Sequence, residues 1–281
     1  MMGTSTSNPG PFDRQPLLPS WALPPDVDSD MAPNNDDNDL LDNGGQQDSL
    51  PLQIPSVTWQ GAKASMSRFA SSGERSSLSR AARDYVGAKG GRRAAAQAAS
   101  TGKSVALRVG GFLSTVARVG VRAALDEIGL GHMVGRGAQE VLAALIDALA
   151  PAGATLREAA ARKAANDVLE KLYENYIADT GDIAGLERLD KQGVADAIEA
   201  SIAGYIYNLW LEELGLSIEA KAISPSQAVA LERDVRVYVK ELVRLEIGEH
   251  DPVAIDWNSS AGHDIIDTVF QEAYGFLEVE Q

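Results

Sequence analysis

The sequence has no cysteine, which rules out a disulfide framework and every thiolate site, and fits a reducing compartment. Its three histidines, His132, His250 and His263, are scattered, and none has a second histidine four residues on, so the usual zinc spacings cannot be built. Long apolar runs are also missing. The most apolar stretch, residues 102–125, is interrupted by Arg108, Arg118 and Arg122, whereas a membrane span needs about 20 predominantly apolar residues. The start lacks the basic leader and apolar core of a secretory signal. These absences predict a cytoplasmic protein. Strand signals are nearly absent as well, with VAIDW at 253–257 the one short extended candidate.

Catalytic motifs are sought in vain. The tripeptide Gly102, Lys103, Ser104 resembles the end of a phosphate-cradling loop, but such a loop needs a glycine five positions before Gly102, where Gln97 stands. An Ala-rich helical run precedes it in place of a strand. Glu212 and Glu213 are adjacent, so on a helix they point about 100° apart and cannot share a proton. His263 with Asp264 and Asp267 fits a helix N-terminus, where the dipole favours carboxylates, better than an acid/base pair. The sequence therefore predicts no catalytic residue, no metal site and no cofactor, and argues against an enzyme.

What is present is a strong segregation of charge. Within the net charge of −15, residues 1–56 carry −8 and residues 57–125 carry +10, and the remainder is acidic again. Two readings of the basic middle stand. It docks on acidic parts of this chain or of a partner, or it forms a nucleic-acid surface through Arg80, Arg83, Lys89, Arg92, Arg93 and Lys103. The second lacks the aromatic interleaving and the known modules of nucleic-acid binders.

From residue 57 onward the pattern is helical. Residues 57–102, rich in Ala, Ser, Arg and Gly, read as short helices broken at Gly73, Gly87 and the Gly90, Gly91 pair. A body at 103–281 follows. Residues 136–150 put Leu142, Leu145, Ile146 and Leu149 on one face, and Thr155 with Glu158 forms a capping box for the next helix. Residues 191–214 carry Val194, Ile198, Ile202, Tyr205 and Leu209, widened by Ile206 and Trp210, and predict a central helix. Ser224, Pro225 and Gln227 start another helix, with Leu231, Val235, Tyr238, Leu242 and Leu245 inward and Gly248 as its stop. The last helix carries Ile266, Phe270, Ala273 and Leu277. The expected class is all-α: a helical bundle body with a long, extended, largely disordered N-terminal arm at 1–56.

That arm poses its own question. MMGTSTSNPGPFDRQPLLPSWALPP is punctuated by prolines that forbid helix, yet it carries Leu17, Leu18 and Trp21, apolar groups that gain from a foreign pocket. The run from Ser29 to Ser49 has too little apolar content to order itself and acts as a linker, and Ile54, Val57 and Trp59 are placed to anchor the chain on the body. With Met1 absent or lost together with Met2, Gly3, followed by the small Thr4 and Ser5, is left as an unhindered amine at the tip of the arm. Gly3 and Ser7 also match a myristoylation pattern, but the acidity of residues 1–56 opposes membrane binding by a single acyl chain.

At these residues the chain resembles the QatB family, a component of the four-gene Qat anti-phage defence system of bacteria. The likeness rests on MGTSTS and PLLPSW at the front, SRFASSG and RAARDYV in the basic region, VGGFLS and GLGHMVGR, then VLAALIDALAPAGATLREA, IYNLWLEELG, SPSQAVALERDVRVYV and FQEAYGFLE. Met1 and the Asn/Asp run at 34–48 depart from the family's pattern. The resemblance implies a non-enzymatic protein working beside an ATPase (QatA), a TatD-like nuclease (QatD) and QatC, which is similar to the QueC enzymes that use ATP to convert a carboxy-deazaguanine into its amide and nitrile. It implies QatC as the first partner, taking the arm with Gly3, Thr4 and Ser5 at its tip and Leu17, Leu18 and Trp21 as anchors, with QatA and QatD as further partners.

Overall fold

The computed structural model describes residues 59–150, 152–221, 224–242 and 251–279, all within one compact unit, Gln53–Gln281. The arm, with its Ile54 and Val57, lies outside the described residues, as do Leu245, Gly248 and His250. The fold is all-α, with no strand among the described residues.

The first two helices form a hairpin: α1 (Trp59–Ser72) turns at Gly73, whose φ of +69° suits a residue without a Cβ, into α2 (Arg75–Ala88). Gly87, expected as a break, sits inside α2, where a single glycine weakens a helix without ending it. The break falls at Gly90 and Gly91, with φ of +90° and +85°. Two helices follow, α3 (Arg92–Ala98) and the long α4 (Ser100–Val119), then α5 (Val121–Glu127). An exposed loop that holds His132 leads to α6 (Ala138–Leu149).

Thr155 caps α7 (Leu156–Leu172) with the reciprocal bonds of a capping box: its side chain accepts from Glu158 N–H, and the Glu158 carboxylate accepts from Thr155 N–H at 2.9 Å. A π-helical turn, Tyr173–Ile177, prolongs α7, and Asp190 then caps α8 (Lys191–Leu214), accepting from Gly193 N–H at 2.8 Å. The chain continues through the short α9 (Leu216–Glu219) and α10 (Pro225–Leu242), where Ser224 Oγ accepts from Gln227 N–H. The last helix is α11 (Ser260–Glu278), capped by Ser259.

Burial explains the arrangement. α8 is the hub, as its sequence predicts, but its second half is enclosed on every side: Tyr205, Ile206, Tyr207, Asn208, Leu209 and Trp210 are all buried in succession. α7 and α4 pack along it, with α10 and α1 at its C-terminal half. Small residues let α7 approach closely; a Cβ on Gly204 of α8 would lie only 3.1 Å from that of Ala164. The predicted inward stripe of α11 is buried in full, and α11 lies across α2, α3 and α4.

The extended candidate at 253–257 is instead a series of turns. Its Trp257 is buried against α4: the indole N–H donates to Ser114 Oγ at 2.8 Å and to the Pro252 carbonyl at 3.0 Å, and Ser114 Oγ donates to the same carbonyl at 2.9 Å. The ring lies over Gly110, where a Cβ would come within 3.0 Å of it. A buried polar tip with its partner in hand is what fixes this loop, and no backbone ladder is needed.

Candidate functional site

The six basic residues singled out in the sequence divide into two groups. Arg80, Arg92 and Arg93 are exposed on α2 and α3 and meet no acid within 4 Å among the described residues. Lys89 and Lys103 point inward. Lys103 Nζ lies 2.6 Å from Asp267 on α11, with only 14% of its side chain exposed. Lys89 Nζ lies 3.0 and 2.9 Å from the two carboxylate oxygens of Glu213 on α8, with 8% exposed. Arg83, half-buried, reaches its neighbour Asp84 at 3.5 Å, and Asp84 also accepts a hydrogen bond from the buried Ser65 Oγ at 2.9 Å. Arg75 joins the pattern by pairing with Glu241 of α10 at 2.6 Å. Charge that is segregated along the sequence is thus partly paired in space, basic α2 and α4 against acidic α8 and α11 and against Glu241 of the charge-balanced α10.

Around Lys89 the packing is aromatic. Its ammonium sits 4.8 Å from the ring centre of Tyr85 and 5.3 Å from that of Trp59, within cation–π range of both. Trp59 meets Tyr85 edge to face at 5.7 Å, and the other side of Tyr85 stacks on Trp210 at 5.7 Å. Tyr205 and Tyr274 complete the cluster, and Tyr205 also meets Phe270 edge to face. The Tyr85 and Tyr205 hydroxyls and the Trp210 indole N–H are buried without a hydrogen-bond partner among the described residues. Burial pushes the Tyr205 phenol up to about 12, and burial together with the neighbouring tyrosines and Glu213 pushes Tyr85 and Tyr274 well above the ordinary range. All three are neutral at physiological pH.

Sequence reasoning set Glu212 and Glu213 aside as a pair; the structure separates them, Glu212 exposed and Glu213 half-buried. The signal was there: Glu213 follows Leu209 by four and Trp210 by three, so it shares their inward face.

Gly102 of the GKS tripeptide lies inside α4, buried against Tyr205, and it cradles no phosphate. No group of three or more metal-ligating side chains occurs among the described residues, and none of their helices is long and apolar enough to cross a membrane. The arm residues Gly3, Thr4, Ser5, Leu17, Leu18 and Trp21 lie outside the described residues. A groove of about 640 Å³ opens between the end of α7, α8 and α10, lined by Ala200 and Ala203 with Lys171 and Lys240 set among Asp196, Glu199 and Glu241, a mixed lining with no strong preference for one sign of charge.

The class these features define is an all-α protein with a hub helix, its inward cations paired with acids from distant helices and part of its basic surface left open. Residues 90–277, about two thirds of the chain, match the family model of QatB, described as Qat anti-phage system associated protein QatB, and the chain belongs to that family. It is therefore a component of the Qat anti-phage system, and the family's description is that of an associated protein, not of an enzyme. Membership points to the other Qat components as partners. No curated protein and no solved structure matches the chain.

Proposed function

We propose that this chain is the non-enzymatic member of its defence system that binds the QueC-like enzyme, QatC, and presents its N-terminal arm to it as recognised peptide or as substrate for a deazaguanine-type modification. The observation that carries this reading is the arm itself: Gly3, Thr4 and Ser5 behind a removable Met2, followed by a Pro-punctuated stretch with Leu17, Leu18 and Trp21. Small residues at the tip suit a narrow cleft. Trp and aliphatic anchors supply the apolar contact that offsets the ordering of such a segment.

The chemistry balances without a cofactor on this chain. In the partner, ATP activates the carboxylate of a carboxy-deazaguanine; the Gly3 amine attacks its carbonyl carbon, an amide bond forms, the activating group departs and the amine's proton passes to solvent. Removing residues 1–21 is expected to abolish co-purification with QatC while the cooperative unfolding of the helical body is kept. Full retention of the partner by the shortened chain contradicts the reading.

A second reading is favoured by the exposed Arg80, Arg92 and Arg93: a nucleic-acid adaptor that brings the system's nuclease, QatD, or its ATPase, QatA, to phage DNA. It requires DNA binding that weakens steeply with salt and falls further on replacing these three arginines. DNA binding indifferent to both excludes it.

A further inference from the structure

Lys89 is a buried cation that no catalytic step uses. It sits at the C-terminal end of α2, its ammonium bracketed by the two oxygens of Glu213 and faced by the Trp59 and Tyr85 rings. Burying a lysine is costly unless it is paired, and a surface Glu–Lys pair would serve solubility equally well. Trp59, by contrast, is 38% exposed and is the first residue of α1, where residues 1–58 join the helical body. A tryptophan at a helix N-terminus has few neighbours to hold it. Among the described residues its ring meets that of Tyr85 edge to face and the ammonium of Lys89, both backed by α8 through Trp210 and Glu213.

We propose that Lys89, held by Glu213, is an internal latch that clamps the Trp59 ring onto Tyr85 and so fixes the point at which the chain enters the helical body. The latch acts on the first turn of α1, because Met66 and Phe69 bury the later turns of that helix independently. Opening it would fray the first turn of α1 without unfolding the bundle. Both Glu213 oxygens face the ammonium, so removing Glu213 alone leaves Lys89 buried without its counter-ion.

Hydrogen exchange on the full chain, read by mass spectrometry, tests the latch. The amides of Lys63, Ala64 and Ser65 donate to the carbonyls of the first turn, so their protection reports its closure. Replacing Lys89 alone leaves Glu213 buried without its cation and risks the fold. The double variant Lys89→Met/Glu213→Met instead exchanges the pair for apolar groups of similar length, which buried ion pairs generally tolerate. It is expected to unfold cooperatively, like the wild type, yet to exchange at Lys63, Ala64 and Ser65 about tenfold faster, the size of one desolvated cation–π contact. Trp59→Leu, which leaves the ion pair intact, is expected to show the same local acceleration, while amides in the middle of α8 stay protected in both variants. Unchanged exchange in the first turn of α1 in either folded variant overturns the latch, as does acceleration spread evenly over the whole bundle.

Discussion

Gly102 and Tyr205 constrain each other more tightly than any other glycine contact with a buried ring in the body. A Cβ on Gly102 would come within 2.5 Å of Tyr205 Cδ1, and the ring, 1% exposed, has no room to withdraw. Alanine favours helix over glycine by about 1 kcal/mol, but overpacking at such a site costs about 1–3 kcal/mol. The cost outweighs the gain, and Gly102→Ala is expected to lower stability by up to about 2 kcal/mol in urea unfolding. The hydroxyl of the same tyrosine points the other way. It is buried and has no hydrogen-bond partner among the described residues, so Tyr205→Phe is expected to be neutral or stabilising near pH 7. Its pH dependence has a definite sign. The folded phenol is raised to about 12 while an unfolded tyrosine titrates near 10, so above pH ~10 the unfolded chain binds fewer protons than the folded one. Stability is complete below pH ~10 and is lost as pH rises towards about 12, and the variant's decline over that window should be shallower by about 1.4 kcal/mol per pH unit. Equal slopes for the two proteins would contradict the buried, neutral phenol.

Among the elements, those set by local chemistry were legible from sequence. The capping box at Thr155 and Glu158, the span 191–214 and the N-cap at Ser224 all appear as their residue patterns require. Caps act through one or two orphan amides, so Thr155→Ala should cost about 1 kcal/mol, measurable as a shift in the urea midpoint without change of slope. What escaped the sequence was decided by tertiary contact. Gly87 stays helical because the two residues just before it, Tyr85 and Val86, are fully buried and hold the end of α2 in place. The segment 253–257 alternates like a strand, yet Trp257 finds Ser114 and Pro252 and settles as turns. The π-helical turn at Tyr173–Ile177 has no local signature; it follows from the fit of Tyr176, whose hydroxyl lies 2.9 Å from the Cβ position of Gly193 and whose carbonyl accepts from Arg188.

At the scale of the molecule, charge is organised by the fold. Sequence counting placed a basic block between acidic ends, but only three dimensions separate Lys89 and Lys103, matched with Glu213 and Asp267, from the open Arg80, Arg92 and Arg93. Half of the candidate basic surface was thus readable as composition and not as geometry, because a helix carries its lysines inward or outward according to partners many residues away. Gly3, Leu17, Leu18 and Trp21 lie outside the described residues, so their proposed roles as tip and anchors rest on sequence chemistry alone. The family assignment sets that chemistry beside the other Qat components. Intact-mass measurement of the full chain purified from cells that also express QatC tests the central claim most directly. The account predicts a chain without Met1 and Met2 and an added mass, equal to that of an amide-linked deazaguanine acyl group, located on Gly3 by peptide sequencing. An unmodified Gly3 in cells where the defence operates would contradict it.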